Sequence, residues 1–274
     1  MNNYGDLEII GVGNQRGGRF GKVVIAGSGK ISGDLECDSF ELPGAAKIED
    51  GSLTVHGPID IDGAGKVEGA LLCESLEVNG SLKVERDCEI RGGAEVNGSF
   101  KVEGGACAVG GGLDVTGSCK VTGPLRVGSL EVEGSVKIEG SIQATEIEVE
   151  GVLKADDAVQ AERFRASGSV TIEGLLNAET VELAVSGEDL IESIGGGQVT
   201  VRRSKNHFSL FGRKRPHLVS NLIEADEIDL AYTDAQTVRG VNIHIGPECV
   251  IDRVEYSGTL TTDANCTVRE KVKI

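Results

Sequence analysis

The chain of 274 residues carries 40 glycines, 5 prolines, no tryptophan and 3% aromatics, so its core has to be built from small aliphatic side chains instead of large aromatic anchors. Its net charge of −17 argues against general binding to a phosphate backbone, which requires a basic surface, and its apolar stretches stay short of the roughly 18 residues that a membrane span needs. Seven cysteines, none in a CxxC pair, point to small buried thiols in a reducing compartment and away from a zinc site.

Met1 to Gly11 lacks the basic start and apolar stretch of a signal peptide, which predicts a cytoplasmic protein. Residues 1–19 are expected to form an N-terminal segment that caps the rest of the chain. Beyond them one phrase recurs: small, apolar, Lys, Val or Ile, acidic. It starts at Ser28, Ala45, Ala64, Ser81, Ser99, Ser118, Ser135, Val152 and Ser169, at intervals of 17 to 19 residues. The apolar period of two is that of a strand with one buried face. Recurrent glycine excludes a helix. Two more strands complete each unit, a weak one such as Cys88-Glu89-Ile90 or Leu125-Arg126-Val127 and a strong one such as Leu76-Glu77-Val78 or Leu130-Glu131-Val132. Each unit is therefore a three-sided coil. Residues 20–185 form about nine of them, stacked as an all-β parallel β-helix, a solenoid in which each coil buries its apolar face against its neighbours. Gly44, Gly63, Gly80, Gly98, Gly117, Gly134, Gly151 and Gly168 precede the Lys phrase and are expected to mark one corner through a positive φ.

In this register the outward Lys30, Lys47, Lys66, Lys83, Lys101, Lys120, Lys137 and Lys154 line up beside Glu49, Glu68, Glu85, Glu103, Glu139, Asp156 and Glu173, a face on which opposite charges offset repulsion within each column. A second face carries Glu41, Asp60, Glu77, Glu95, Asp114, Glu131 and Glu148 with no basic column beside it. It reads as a solvated acidic stripe, because carboxylates spaced one per coil on a flat sheet rarely converge on a cation.

After Ala184 the register breaks. Gln198-Val199-Thr200-Val201 reads as the next Lys-type phrase, 29 residues after Ser169 instead of 17, which predicts an insertion around Glu188 to Gly197. A second insertion is expected before Leu222-Ile223-Glu224, so that 186–221 is an interrupted coil and 222–274 a resumed β-helix, with Thr261 to Ile274 as a C-terminal cap. The fold so predicted has two insertions in its C-terminal part. The second holds Arg202, Arg203, Lys205, Arg213, Lys214 and Arg215 around Phe208 and Phe211, with no acid. It reads as an exposed loop with four uses open to it: neutralising acidic neighbours, contact with an anionic membrane surface, a protein partner, or nucleic acid, which the overall charge disfavours.

No GxxxxGK[ST] phosphate loop is present, and His56, His207, His217 and His244 lie in neither an HExxH nor a nucleophile motif, so no catalytic residue, cofactor or metal is expected. The enzymatic competitor is the hexapeptide acyltransferase type of β-helix, which Ile245-Gly246-Pro247-Glu248-Cys249-Val250 resembles locally. The prevailing 17-residue period, with two alternating residues buried on each strong side, argues against its strict six-residue sides.

The repeated G-S-x-K-[VI]-x-G phrases, as in Gly98 to Gly104 and Gly134 to Gly140, together with three sides per coil and an acidic, glycine-rich composition, resemble the bactofilins, polymer-forming bacterial cytoskeletal proteins. The likeness covers roughly residues 20–185, with a weaker stretch over 220–260. It implies a right-handed β-helix that polymerises end to end without nucleotide. It also implies association with the inner face of the cell membrane and the scaffolding of other cytoskeletal or cell-envelope proteins in cell shape or motility. The chain departs from that family in its larger number of coils, its interruptions and its lack of an apolar N-terminal tail.

Overall fold

The computed structural model describes residues 4–204 and 216–274. Among the described residues the regular structure is entirely β-strand, the strands pair in parallel, and no helix is long and apolar enough to cross a membrane. The fold is the expected all-β solenoid of stacked coils. Two compact units, residues 1–140 and 141–274, are distinguished within it.

In the first unit the lysine phrase sets the register of side one. Lys30 pairs with Lys47, Lys47 with Lys66, and so on through Lys83, Lys101, Lys120 and Lys137, each directly above the last. The side chains flanking the lysines turn inward and are buried, as Leu82 and Val84 are around Lys83. Side two stacks Leu35, Leu53, Leu71, Cys88, Cys107 and Leu125. Side three stacks Phe40, Ile59, Leu76, Ala94, Leu113 and Leu130. Neighbouring coils match in size: Gly65 lies against Leu82, where an added Cβ would stand 3.0 Å from Leu82 Cδ1. The tunnel is filled by these stacked side chains, each buried Leu, Ile or Val contributing about 1.5–3 kcal/mol.

The ladder begins earlier than the composition implied. Leu7–Ile9 pairs with the Val23–Ile25 end of Val12–Ile25, which in turn pairs with Ser28–Leu42, so residues 7–19 belong to the coils. The corner glycines also differ from expectation, in their reason and not their place. Among the described residues positive φ among glycines is confined to Gly18, Gly33 and Gly104. The corner is instead a column of close approach: a Cβ on Gly63, Gly80, Gly98 or Gly117 would lie 1.7–2.1 Å from the carbonyl oxygen of the corner glycine one coil away. Backbone stacks directly on backbone there, leaving no room for a side chain.

In the second unit, side one runs Lys154, Thr171, Leu190, Val219, Asp234, Val250 and Thr267. Glu188 to Gly197 is therefore no insertion. It supplies sides one and two of a coil, and Gln198-Val199-Thr200-Val201 is side three, paired with Thr180-Val181-Glu182-Leu183. One long break is left in the ladder, between Arg203 and His217: Leu190 pairs with Val219, 29 positions on, whereas Thr171 pairs with Leu190, 19 positions on. The two predicted insertions reduce to one, at the corner between sides three and one. Leu260–Thr262 and Thr267–Lys273 continue sides three, one and two.

This unit also buries a carboxylate. Asp189 faces inward in the column that holds Leu153 and Val170 before it and Leu218 after it, is 3% exposed, and accepts the Val170 N–H at 2.9 Å. Burial pushes its carboxyl up to about 6, opposed by the Val170 hydrogen bond and by His217.

Candidate functional site

Because the outward side chains repeat once per coil, the faces of the solenoid are arrays, and any binding chemistry comes from columns. On side one of the first unit the ammonium groups thread between carboxylates of their own coil and the next. Lys47 reaches Glu49 at 2.7 Å and Glu68 at 2.9 Å, Lys66 reaches Glu85 at 3.0 Å, Lys83 reaches Glu85 at 3.1 Å and Glu103 at 2.7 Å, and Lys101 also pairs with Glu103. Hydrogen bonding to Lys47, then to the Asp50 N–H, brings Glu68 down to about 2, and Lys101 with Lys83 does the same for Glu103. These exposed pairs add little stability singly. As an alternating array they hold coil on coil and keep the face mixed in sign.

Side three of the first unit is acidic, as its sequence indicates. Asp60 pairs in register with Glu77, Glu77 with Glu95, Glu95 with Asp114 and Asp114 with Glu131. The middle of the neighbouring column is uncharged: Asn79 donates to Glu77 at 2.9 Å and to Asp62 at 3.1 Å, Asn97 to Glu95 at 2.8 Å and to Asn79 at 2.9 Å, and Thr116 to Asn97 at 2.7 Å. An amide ladder thus supplies hydrogen bonds where side one uses ammonium groups. Desolvation, then Asp62, Glu77 and Glu41, raise the Asp60 carboxyl, one oxygen of which is buried without a hydrogen bond. A shallow hollow of about 520 Å³ runs along this face between Glu41 and Asp114. In the second unit the column turns mixed, with Arg165 bound to Glu182 at 3.0 Å.

Of the predicted basic cluster, Arg202 closes on Asp229 at 2.5 Å, and Arg203 lies over the Tyr232 ring at 5.6 Å. Both are thus engaged within the coils. Lys205, Phe208, Phe211, Arg213, Lys214 and Arg215 lie outside the described residues. In this unit side one loses its lysines: Leu190 is 41% and Val250 42% exposed at the positions that carry lysine in the first unit, and Asp234 stands between Val219 and Val250 in the same column.

The histidines are apart, His56 on Glu36 at 2.7 Å, His217 3.9 Å from Asp234, and His244 between two aspartates; His207 lies outside the described residues. Among the described residues no group of three or more His, Cys, Asp or Glu is arranged to hold a metal ion. Six of the seven cysteines are buried and all are free. Burial pushes the Cys37 and Cys73 thiols up to about 12, and Cys88, stacked in register on Cys107 and hydrogen-bonded to it, is raised well above the ordinary range. Thiols so raised are inert.

The chain resembles two proteins of Bacillus subtilis (strain 168): the uncharacterized protein YhbE, 41% identical over 105 residues, which cover 38% of this chain and 44% of that protein, and the uncharacterized protein YhbF, 36% identical over 102 residues, covering 37% and 42%. The chain thus aligns with less than half the length of each. No family model and no solved structure matches it.

Proposed function

We propose that this chain is a structural scaffold that assembles end to end through its coils, without nucleotide, in the manner of the bactofilins that its repeats resemble. The observation that carries the reading is the continuous parallel ladder of each unit: every coil offers the next a row of backbone donors and acceptors and an apolar stack, and a coil edge left open is a template for another chain. The outer coils set the character of such a joint. In the coil of residues 7–25, Gln15 stands opposite Ile31 and Gly18 opposite Leu35. In the last coil Lys271 occupies the inward position that Val254 holds below it. A coil abutting Lys271 has to cover an ammonium group, which costs stability unless a carboxylate meets it, so the joint is selective.

A second reading, lateral attachment to an anionic membrane surface, rests on the exposed Val250, which lines a hollow together with Arg203, and on the basic segment that follows Arg203. One preparation tests both. Purified protein without nucleotide is imaged by negative-stain electron microscopy, and filaments are the expected result; discrete short particles at all concentrations and salt conditions refute assembly. Sedimentation with phosphatidylserine vesicles, lost on replacing the six basic residues by Ser, supports the second reading, and wild-type protein left in the supernatant ends it.

A further inference from the structure

Side three of the second unit brings together a titratable group that no ladder requires. His244 lies between carboxylates of two different coils: its Nδ1 is 3.0 Å from Asp229 Oδ1 and its Nε2 is 3.3 Å from Asp263 Oδ1. A neutral imidazole has one N–H, so with a carboxylate at each nitrogen one of the two oxygens must face a lone pair. The imidazolium donates to both.

The surrounding groups leave that choice to the histidine. Arg202 is bound to Asp229 through Oδ2, so Asp229 keeps a cation whatever the state of His244. Glu227 is taken up by the Asn242 amide at 2.7 Å, while Asn242 Oδ1 accepts from the backbone N–H and the hydroxyl of Thr259. Thr261, paired with His244, and Thr200, paired with Asp229, are uncharged. Among the described residues the cationic group facing Asp263 is His244 alone.

We propose that His244 is a proton-binding fastener: as the imidazolium it ties the segment around Asp263 onto the Thr233–Ile245 strand, and on losing its proton it lets that segment loosen. This inference stands independently of the scaffold reading. The hydrogen bond to Asp229 raises His244 above its ordinary value of 6.5; desolvation, the next largest effect, opposes it, and the hydrogen bond to Asp263 adds to the rise. A histidine raised in the folded state contributes its stabilisation in full below 6.5 and loses it as pH rises through the higher folded value.

The test is hydrogen exchange, corrected for intrinsic rates, between about pH 6 and pH 9, alongside an NMR titration of the His244 ring. The histidine is expected to titrate above 6.5. Protection of the Ser257, Gly258 and Asp263 amides, which donate to Gly240, Val241 and Ile245, is expected to fall severalfold over that range. H244Q is expected to abolish the pH dependence at the low level, and H244R to abolish it at the high level. D263N, which keeps the histidine, is expected to lower its titration point and flatten the profile, and covers the case of an H244Q chain that does not fold. Titration at or below 6.5, flat wild-type protection, or a pH profile that survives in D263N overturns the proposal.

Discussion

Gly98→Ala is expected to destabilise the solenoid by on the order of 3 kcal/mol, out of proportion to the single methyl group it adds. The added Cβ falls 2.0 Å from Gly80 O and 2.4 Å from Asn79 O, both backbone atoms of the coil below. Neither atom can yield locally: Gly80 O accepts the Ser99 N–H at 2.8 Å, and the Gly98 N–H is itself bound to Val78 O at 2.8 Å. Relief requires the two coils to part at this corner, which breaks ladder bonds on sides one and three together. Gly93→Ala is the matched control, since its Cβ would meet only Gly112 O, at 3.4 Å. Urea unfolding followed by circular dichroism should show a large loss in midpoint for Gly98→Ala and little for Gly93→Ala. Equal effects would show that the corner is not a column of backbone contact.

Asp189→Asn is expected to stabilise the protein at neutral and alkaline pH and to leave it unchanged in acid. Asn keeps an oxygen for the Val170 N–H and removes a charge that the tunnel does not solvate. The sign follows from a folded-state carboxyl raised from 3.8 to about 6: the folded protein holds its proton where the unfolded chain has lost it, so the penalty is absent below 3.8, grows up to about 6 and is full above it. A shift of that size corresponds to roughly 3 kcal/mol as an upper bound. Unfolding midpoints of wild type and variant should therefore coincide near pH 4 and separate near pH 8, with the variant higher. A variant no more stable at pH 8 than the wild type would mean that the carboxylate is satisfied as an anion.

These two residues also mark how much of the fold could be read from sequence. Lys83 and its equivalents revealed the coil because a charged residue between two buried aliphatics repeats at one place per turn. At Asp189-Leu190 the binary pattern is inverted, with the acid inside and the leucine outside, so the strand does not look like one and the similar alternation of Gln198 to Val201 is mistaken for it. The corner glycines are conspicuous in the sequence, but their cause is a contact between coils and not a local φ. Of the site, the columns follow from register alone. The His244 cluster does not: its members are 15 and 19 residues apart, and which residues meet across coils of unequal length is fixed only once each corner is known.

The central claim is that the lysines of side one stand one above another at the spacing of hydrogen-bonded strands. Pulsed electron–electron distance measurements test it directly, with spin labels at Lys47 and at Lys101, Lys120 or Lys137 in turn, in a Cys266→Ser background because that thiol is the one not buried. With these sites three, four and five coils apart, the account predicts distances of about 14, 19 and 24 Å, rising by about 4.8 Å per coil. Distances that do not grow with coil number would contradict it.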